Sequence, residues 1–172
     1  MNTADMLMER SAVISNCGRY RYRLTRRWGD GYALPWIMLN PSTADGTEDD
    51  PTIRKCIGFA TRLGYPAIEV FNLYAWRATK PRDLPLDTGD PIGPDTDQIM
   101  MDVFRDLRLD ERGIVICAWG ANARLHRRAQ AIRTGLALAG VRLRALRLLA
   151  DGTPEHPLML PYSCRPVPLG AA

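Results

Sequence analysis

With 172 residues, 46% of them hydrophobic, the chain is long enough to bury a sizeable core without a disulfide framework. No apolar run approaches the roughly 20 residues of a membrane span, and no basic-then-apolar leader opens the sequence, so a cytoplasmic protein with no membrane partner is expected. The net charge is +4, with Lys only at Lys55 and Lys80, and the cysteines Cys17, Cys56, Cys117 and Cys164 form no Cys-x-x-Cys pair, which argues against a zinc ribbon or an iron–sulfur cage.

In chain order, Ala12 to Ser15 and Arg19 to Trp28 read as a hairpin around Asn16-Cys17-Gly18. Tyr20, Tyr22 and Leu24 share one face, and Arg19, Arg21, Arg23, Arg26 and Arg27 are assigned to the other. Leu34 to Leu39 is an apolar run that ends in the turn signal Asn40-Pro41-Ser42. Asp50 is a natural N-cap and Pro51 a natural first residue for a helix. Its buried face is Ile53, Cys56, Ile57, Ala60 and Leu63, and Gly64 caps its end. Ala67 to Phe71 is a second strand, and 78–94 a Pro- and Asp-rich loop long enough to be functional. A helix over Asp95 to Leu109, a strand over Ile114 to Ala118, a helix over Ala123 to Ala139 and a strand over Leu143 to Leu149 complete the pattern. Cys56 and Cys117 lie in apolar patterns and read as core. The alternation predicts a single three-layer α/β/α domain over 1–172, with its core at about 12–162, a mainly parallel central sheet and an N-terminal β-hairpin.

Each of these strands ends in polar or aromatic residues: Asn40, Ser42 and Thr43; Asn72, Tyr74 and Arg77; Trp119; and a segment from Asp151 to Leu158 containing His156. In open α/β sheets, ligands bind beyond the carboxyl ends of the strands, so these ends are expected to meet in one cleft. The plain alternative for any single one is a turn whose side chains satisfy backbone groups. Two arginine clusters, the one on the hairpin and Arg124, Arg127, Arg128 and Arg133, suit phosphate contacts, with a solvated face as the alternative.

Leu39-Asn-Pro-Ser-Thr-Ala-Asp45, Asp49-Asp-Pro-Thr52, Asn72-Leu73, Arg77-Ala-Thr79, Ala118-Trp-Gly120 and Gly152-x-Pro-x-His-Pro-Leu158 together resemble domain-of-unknown-function family 1643 of bacteria and phages, over roughly Arg19 to Leu160. More distantly, the motif order resembles the uracil-DNA glycosylase superfamily. That resemblance implies a uracil-DNA glycosylase-like fold and an N-glycosidic hydrolase acting on a modified or damaged base of DNA. It implies that Asn40 holds the hydrolytic water and that Asn72 reads the base edge. Phe71, Tyr74 or Trp76 would stack on the base, and His156 would meet the charge of the departing base. Trp119 would pack under the pocket. The sequence departs from the superfamily at Leu39 and Ser42, where glycines are usual, and at Leu158-Met159, which replace Ser-Pro. It also adds Asp45, Asp49 and Asp50.

The expected site therefore has Asn40, Asp45 and His156 as catalytic residues. Ser42, Thr43, Phe71, Asn72, Tyr74, Arg77 and Trp119 would bind substrate. This route requires no cofactor and no metal, and the partner is DNA or a nucleotide. Two alternatives stay open: an enzyme on a free nucleotide, Mg²⁺-assisted through the three carboxylates, and a non-catalytic binding module.

Overall fold

The computed structural model describes residues 8–42, 48–107, 113–121 and 126–170. Strands β1 (Glu9–Ile14) and β2 (Arg21–Arg27) form the expected hairpin, with Gly18 at φ +72° in its turn. Tyr22 and Leu24 are buried as expected, but the same face continues to Arg26, whose side chain is wholly buried. β3 (Leu34–Met38) is buried along its whole length, and α1 (Pro51–Arg62) follows it. Asp50 caps α1 by accepting from the Ile53 amide at 2.8 Å. At the other end Gly64, at φ +81°, lets the Tyr65 and Gly64 amides reach back to the carbonyls of Ala60 and Thr61, which closes the helix in a Schellman motif. β4 (Ala67–Asn72), α2 (Thr96–Leu107), β5 (Ile114–Cys117), α3 (His126–Leu138), β6 (Arg142–Ala145) and the short β7 (Val167–Pro168) complete the order.

The seven strands lie in the order β1-β2-β4-β3-β5-β6-β7. The expectation of a mainly parallel sheet is corrected: the sheet is mixed. β4, β3, β5 and β6 pair in parallel, whereas β1–β2, β2–β4 and β6–β7 are antiparallel. The hairpin docks β2 against β4 rather than standing apart, and the chain after β6 folds back along it. Strand–helix alternation reports only the four crossover strands, so neither antiparallel edge is visible in that pattern.

Side chains alternate across the sheet with the period of two that a strand imposes. Trp36, Met38, Ile68, Val70 and Ile116 pack in one cluster with Ile53, Cys56 and Phe59 of α1. Ile37, Phe71, Val115 and Cys117 pack in another with Met100 and Phe104 of α2 and Leu136 of α3. Strand direction explains the split. The chain moves one way from β3 to β4 and the opposite way from β4 to β5 to β6, and right-handed crossovers then put the connecting helices on opposite faces. The connections that follow β3 and β5, which are neighbours, diverge. This is the topological switch point where a crevice opens beyond the carboxyl ends of the strands.

Candidate functional site

The crevice at that switch point is a cleft of about 380 Å³. It is lined by the end of β3 (Met38, Leu39), by Asn40 and Ser42 after β3 and by Trp119, Gly120 and Ala121 after β5. Asn72, the last residue of β4, reaches it from the next strand, and His156 closes it from the segment that follows β6. Backbone hydrogen bonds at the strand ends hold this arrangement: Leu73 to Met38, Tyr74 to Leu39, Ala118 to Ile37 and Gly120 to Pro154, all at 2.9–3.0 Å.

Asn72 is 3% exposed, and its Nδ2 is buried with no hydrogen-bond partner among the described residues. A buried amide left unpaired costs about 1–3 kcal/mol, so its position at the cleft wall calls for an explanation beyond stability. Asn40 is held differently. Its Nδ2 donates to the Ala78 carbonyl at 2.8 Å and to the Pro41 carbonyl at 3.2 Å, while the Ala78 amide donates back to Pro41. With its donor end committed to the backbone, Asn40 has its Oδ1 acceptor left for another partner.

His156 is half-buried, and its Nδ1 accepts from the Leu158 amide at 3.3 Å. An accepting Nδ1 bears no proton, which assigns the neutral ring as the Nε2–H tautomer. Burial pushes the imidazole below its ordinary value, and the nearby Asp50 carboxylate opposes that shift. The His156 backbone and Cβ lie close to Gly120, which sits at φ +74°; a Cβ added there would lie 3.3 Å from the His156 Cβ.

The structure thus brings Asn40, Ser42, Asn72, Trp119 and His156 to one cleft. Trp119 is also a core residue, 6% exposed. Three expected contacts lie elsewhere. Phe71 is fully buried and meets Phe104 edge-on at 5.1 Å, on the α2 side of the sheet, so it cannot stack on a ligand in the cleft. Tyr74 is buried in the same cluster, and Arg77 donates to the Gly18 carbonyl at 3.0 Å, which ties its loop to the hairpin turn. Thr43 and Asp45 lie outside the described residues, as does Arg124. Trp76 packs against Tyr20 at 5.5 Å.

The hairpin arginines have internal partners. Arg26 Nε donates to Asp49 Oδ1 at 2.6 Å, with Arg10 3.5 Å from the same carboxylate. Arg23 pairs with Glu69 at 3.6 Å, and Arg27 donates to the Gly29 and Gly31 carbonyls. In the second cluster, Arg128 binds the Leu73 carbonyl and Asp97, and Arg133 the Gly170 carbonyl. Asp49 is therefore turned into the hairpin and away from the cleft, and no group of three His, Cys, Asp or Glu with metal-holding geometry occurs among the described residues.

Asp50, Thr52, Ala78, Thr79 and Pro81 also line the cleft. The sequence signal for Asp50 and Thr52 was the capped helix start itself. α1 is the helix that follows the first crossover strand, and Asp50 and Thr52 at its N-terminus line the crevice. Among the described residues no helix is long and apolar enough to cross a membrane.

The model of a family described as "Protein of unknown function (DUF1643)" matches residues 21–158. No curated protein and no solved structure matches the chain.

Proposed function

The chain belongs to the protein-of-unknown-function family DUF1643, a name that states no activity, and we propose from its cleft that it is a nucleobase-recognising enzyme, an N-glycosidic hydrolase acting on a modified or damaged base of DNA. The observation that carries this reading is Asn72: a buried carboxamide whose Nδ2 has no partner among the described residues, at the wall of a cleft set on the topological switch point. A ligand that presents a carbonyl or ring nitrogen would satisfy it. A carboxamide pairs naturally with the edge of a base because it offers a donor and an acceptor side by side. The two core clusters on opposite faces of the sheet also suit the three-layer, uracil-DNA glycosylase-like arrangement that the motif order suggests.

In this reading the base enters the cleft after flipping from a duplex or directly from a single strand. Asn72 reads its edge beside Trp119. Asn40, oriented by Ala78 and Pro41, accepts a hydrogen bond from the water that attacks the sugar carbon. As the glycosidic bond breaks, its electron pair leaves with the base, and the Nε2–H of His156 stabilises it there. Such a donor, aimed where charge develops, is worth roughly 10²–10³-fold in rate. No step requires a cation. Among the described residues the cleft is lined by no Lys or Arg, which favours recognition of the base itself over a free nucleotide gripped by its phosphates.

The test is incubation with DNA and nucleotide pools containing uracil, thymine, hydroxymethyluracil and deaminated bases, in excess chelator, with released bases identified by mass spectrometry. The reading expects one or a few bases released from DNA, and an altered or abolished preference in Asn72→Asp, since a site built on paired hydrogen bonds discriminates strongly. Unchanged selectivity in that variant would place base reading elsewhere. Activity lost to chelator and restored by Mg²⁺ would favour the metal-assisted alternative, and binding without release the non-catalytic module.

A further inference from the structure

A helix cap does not need to be an aspartate, and it does not need to face a binding cleft. Asn, Ser and Thr cap as well as Asp. The cap of α1 is nonetheless Asp50, and its side chain lines the same cleft as Asn40, Asn72 and His156. It is the one acidic residue among the described lining residues. Its carboxylate is held on both sides: Oδ1 accepts from the Ile53 amide at 2.8 Å and Oδ2 from the Ser42 hydroxyl at 3.4 Å. Each carboxylate oxygen has a second lone pair, so the group keeps acceptor capacity while its orientation is fixed.

The position is anchored from behind. Asp49, the residue before it, is locked into the hairpin by buried Arg26, so the chain cannot swing Asp50 away from the cleft without breaking that pair. The charge also acts on two neighbouring groups. On the protein side it acts on Arg21, which is 5% exposed, and on the cleft side on the imidazole of His156. The unpaired Asn72 amide, at the same cleft, independently points to a ligand there.

We infer that Asp50 is a catalytic residue of this cleft, the carboxylate that together with Asn40 holds the attacking water and takes its proton, while continuing to cap α1. The assignment rests on the hydrolytic reading of the cleft. The water oxygen forms a bond to the sugar carbon and the carbon–nitrogen bond breaks. The electron pair passes to the base nitrogen, which the His156 N–H stabilises. The surplus proton of the water goes to Asp50 and from there to solvent, and the base takes up a proton from solvent. Water is consumed and nothing is oxidised or reduced.

Asp50→Asn separates the two jobs, because asparagine caps helices as well as aspartate but carries no charge and accepts no proton. Asp50→Asn should melt higher than Asp50→Ala, because both lose the charge that acts on buried Arg21 but only the alanine also loses the cap. The His156 ring, assigned by substitution and followed by NMR, should titrate at lower pH in Asp50→Asn, since the carboxylate that favours its protonation has been neutralised. With the base identified by the release screen, kcat should fall by about 10²-fold or more with KM little changed, the scale of losing a positioned general base. Wild-type kcat in Asp50→Asn, alongside loss of activity in Asn40→Ala, would reduce Asp50 to a cap and leave the hydrolytic reading standing. An unshifted His156 titration would remove Asp50 from the cleft electrostatically, whether or not a substrate is found. Release of no base by the wild-type protein would overturn the hydrolytic reading, and this assignment with it.

Discussion

Asp49→Ala tests whether the start of α1 is pinned by a buried charge. Arg26 is fully buried and Asp49 is only 11% exposed, and Nε and Oδ1 meet at 2.6 Å. Arg26 also donates to the Thr25 carbonyl at 2.9 Å, but its Nη2 has no partner among the described residues, and no second carboxylate there is paired with the guanidinium if Asp49 is removed. Removing one member of a buried ion pair typically costs about 3–5 kcal/mol, chiefly because the surviving charge is stranded. The pair itself contributes less than that, since both ions were desolvated to form it. Arg10, 30% exposed and 3.5 Å away, adds little because water replaces its partner. Against a total stability of about 5–15 kcal/mol the loss is large. At roughly 2–4 °C per kcal/mol for a domain of this size, the melting temperature should fall by roughly 6–20 °C. Glu69→Ala is the internal control: it breaks the more exposed Arg23 pair, worth about 0–1 kcal/mol. Thermal unfolding followed by circular dichroism measures both. A fall in Asp49→Ala no larger than in Glu69→Ala would refute the argument that Arg26 depends on Asp49.

Four further outcomes follow from the same geometry. Asn72→Leu removes a buried amide that has no partner among the described residues, so it should melt no lower than the wild type while losing base binding; a large loss of stability would mean that the amide is satisfied within the protein. Gly120→Ala places a Cβ at positive φ and against His156, which should cost about 1–2 kcal/mol from the backbone alone and displace the ring, visible as a changed His156 NMR signal. Because burial lowers the folded-state pKa of His156 below its ordinary 6.5, the unfolded chain binds the proton first; stability should be fully present above that value and decline as pH falls through the interval below it, a decline that His156→Gln should lessen in urea titrations. At the hairpin tip, hydrogen bonds from Arg19 and then Ser15 bring the exposed Cys17 thiol down to about 7, whereas burial pushes the Cys56 and Cys117 thiols up, so iodoacetamide at neutral pH should label Cys17 first by mass spectrometry.

The central strands and α1 were legible because their signals are local. Apolar runs over Leu34 to Leu39, Ala67 to Phe71 and Ile114 to Ala118 became β3, β4 and β5 within one residue at either end. The cap at Asp50, the proline after it and the glycine at 64 marked the limits of α1. Pairing direction was not local. Nothing in Arg19 to Trp28 reveals that β2 docks antiparallel on β4, and a two-residue strand containing Pro168 leaves almost no trace. Arg26 shows the same limit at a single residue. Its place two positions after Leu24 put it on the buried face, but a buried arginine is intelligible only with Asp49, which lies far along the chain. The meeting of Asn40, Asn72, Trp119 and His156 was legible because parallel strands deliver their ends to one edge. Which aromatic rings face that edge was not, since Phe71 precedes Asn72 by one residue and period two turns it to the other side, against Phe104.

The most direct measurement of the central claim is the side-chain amide resonance of Asn72 in protein labelled with ¹⁵N at asparagine, followed as individual nucleobases are added. An unpaired amide at the wall of a base-reading cleft should shift downfield and saturate with the cognate base, and other asparagine side chains outside the cleft should stay fixed. Saturable binding of a base that leaves the Asn72 amide unmoved, or an Asn72 amide that responds to no base in the panel, would contradict the account.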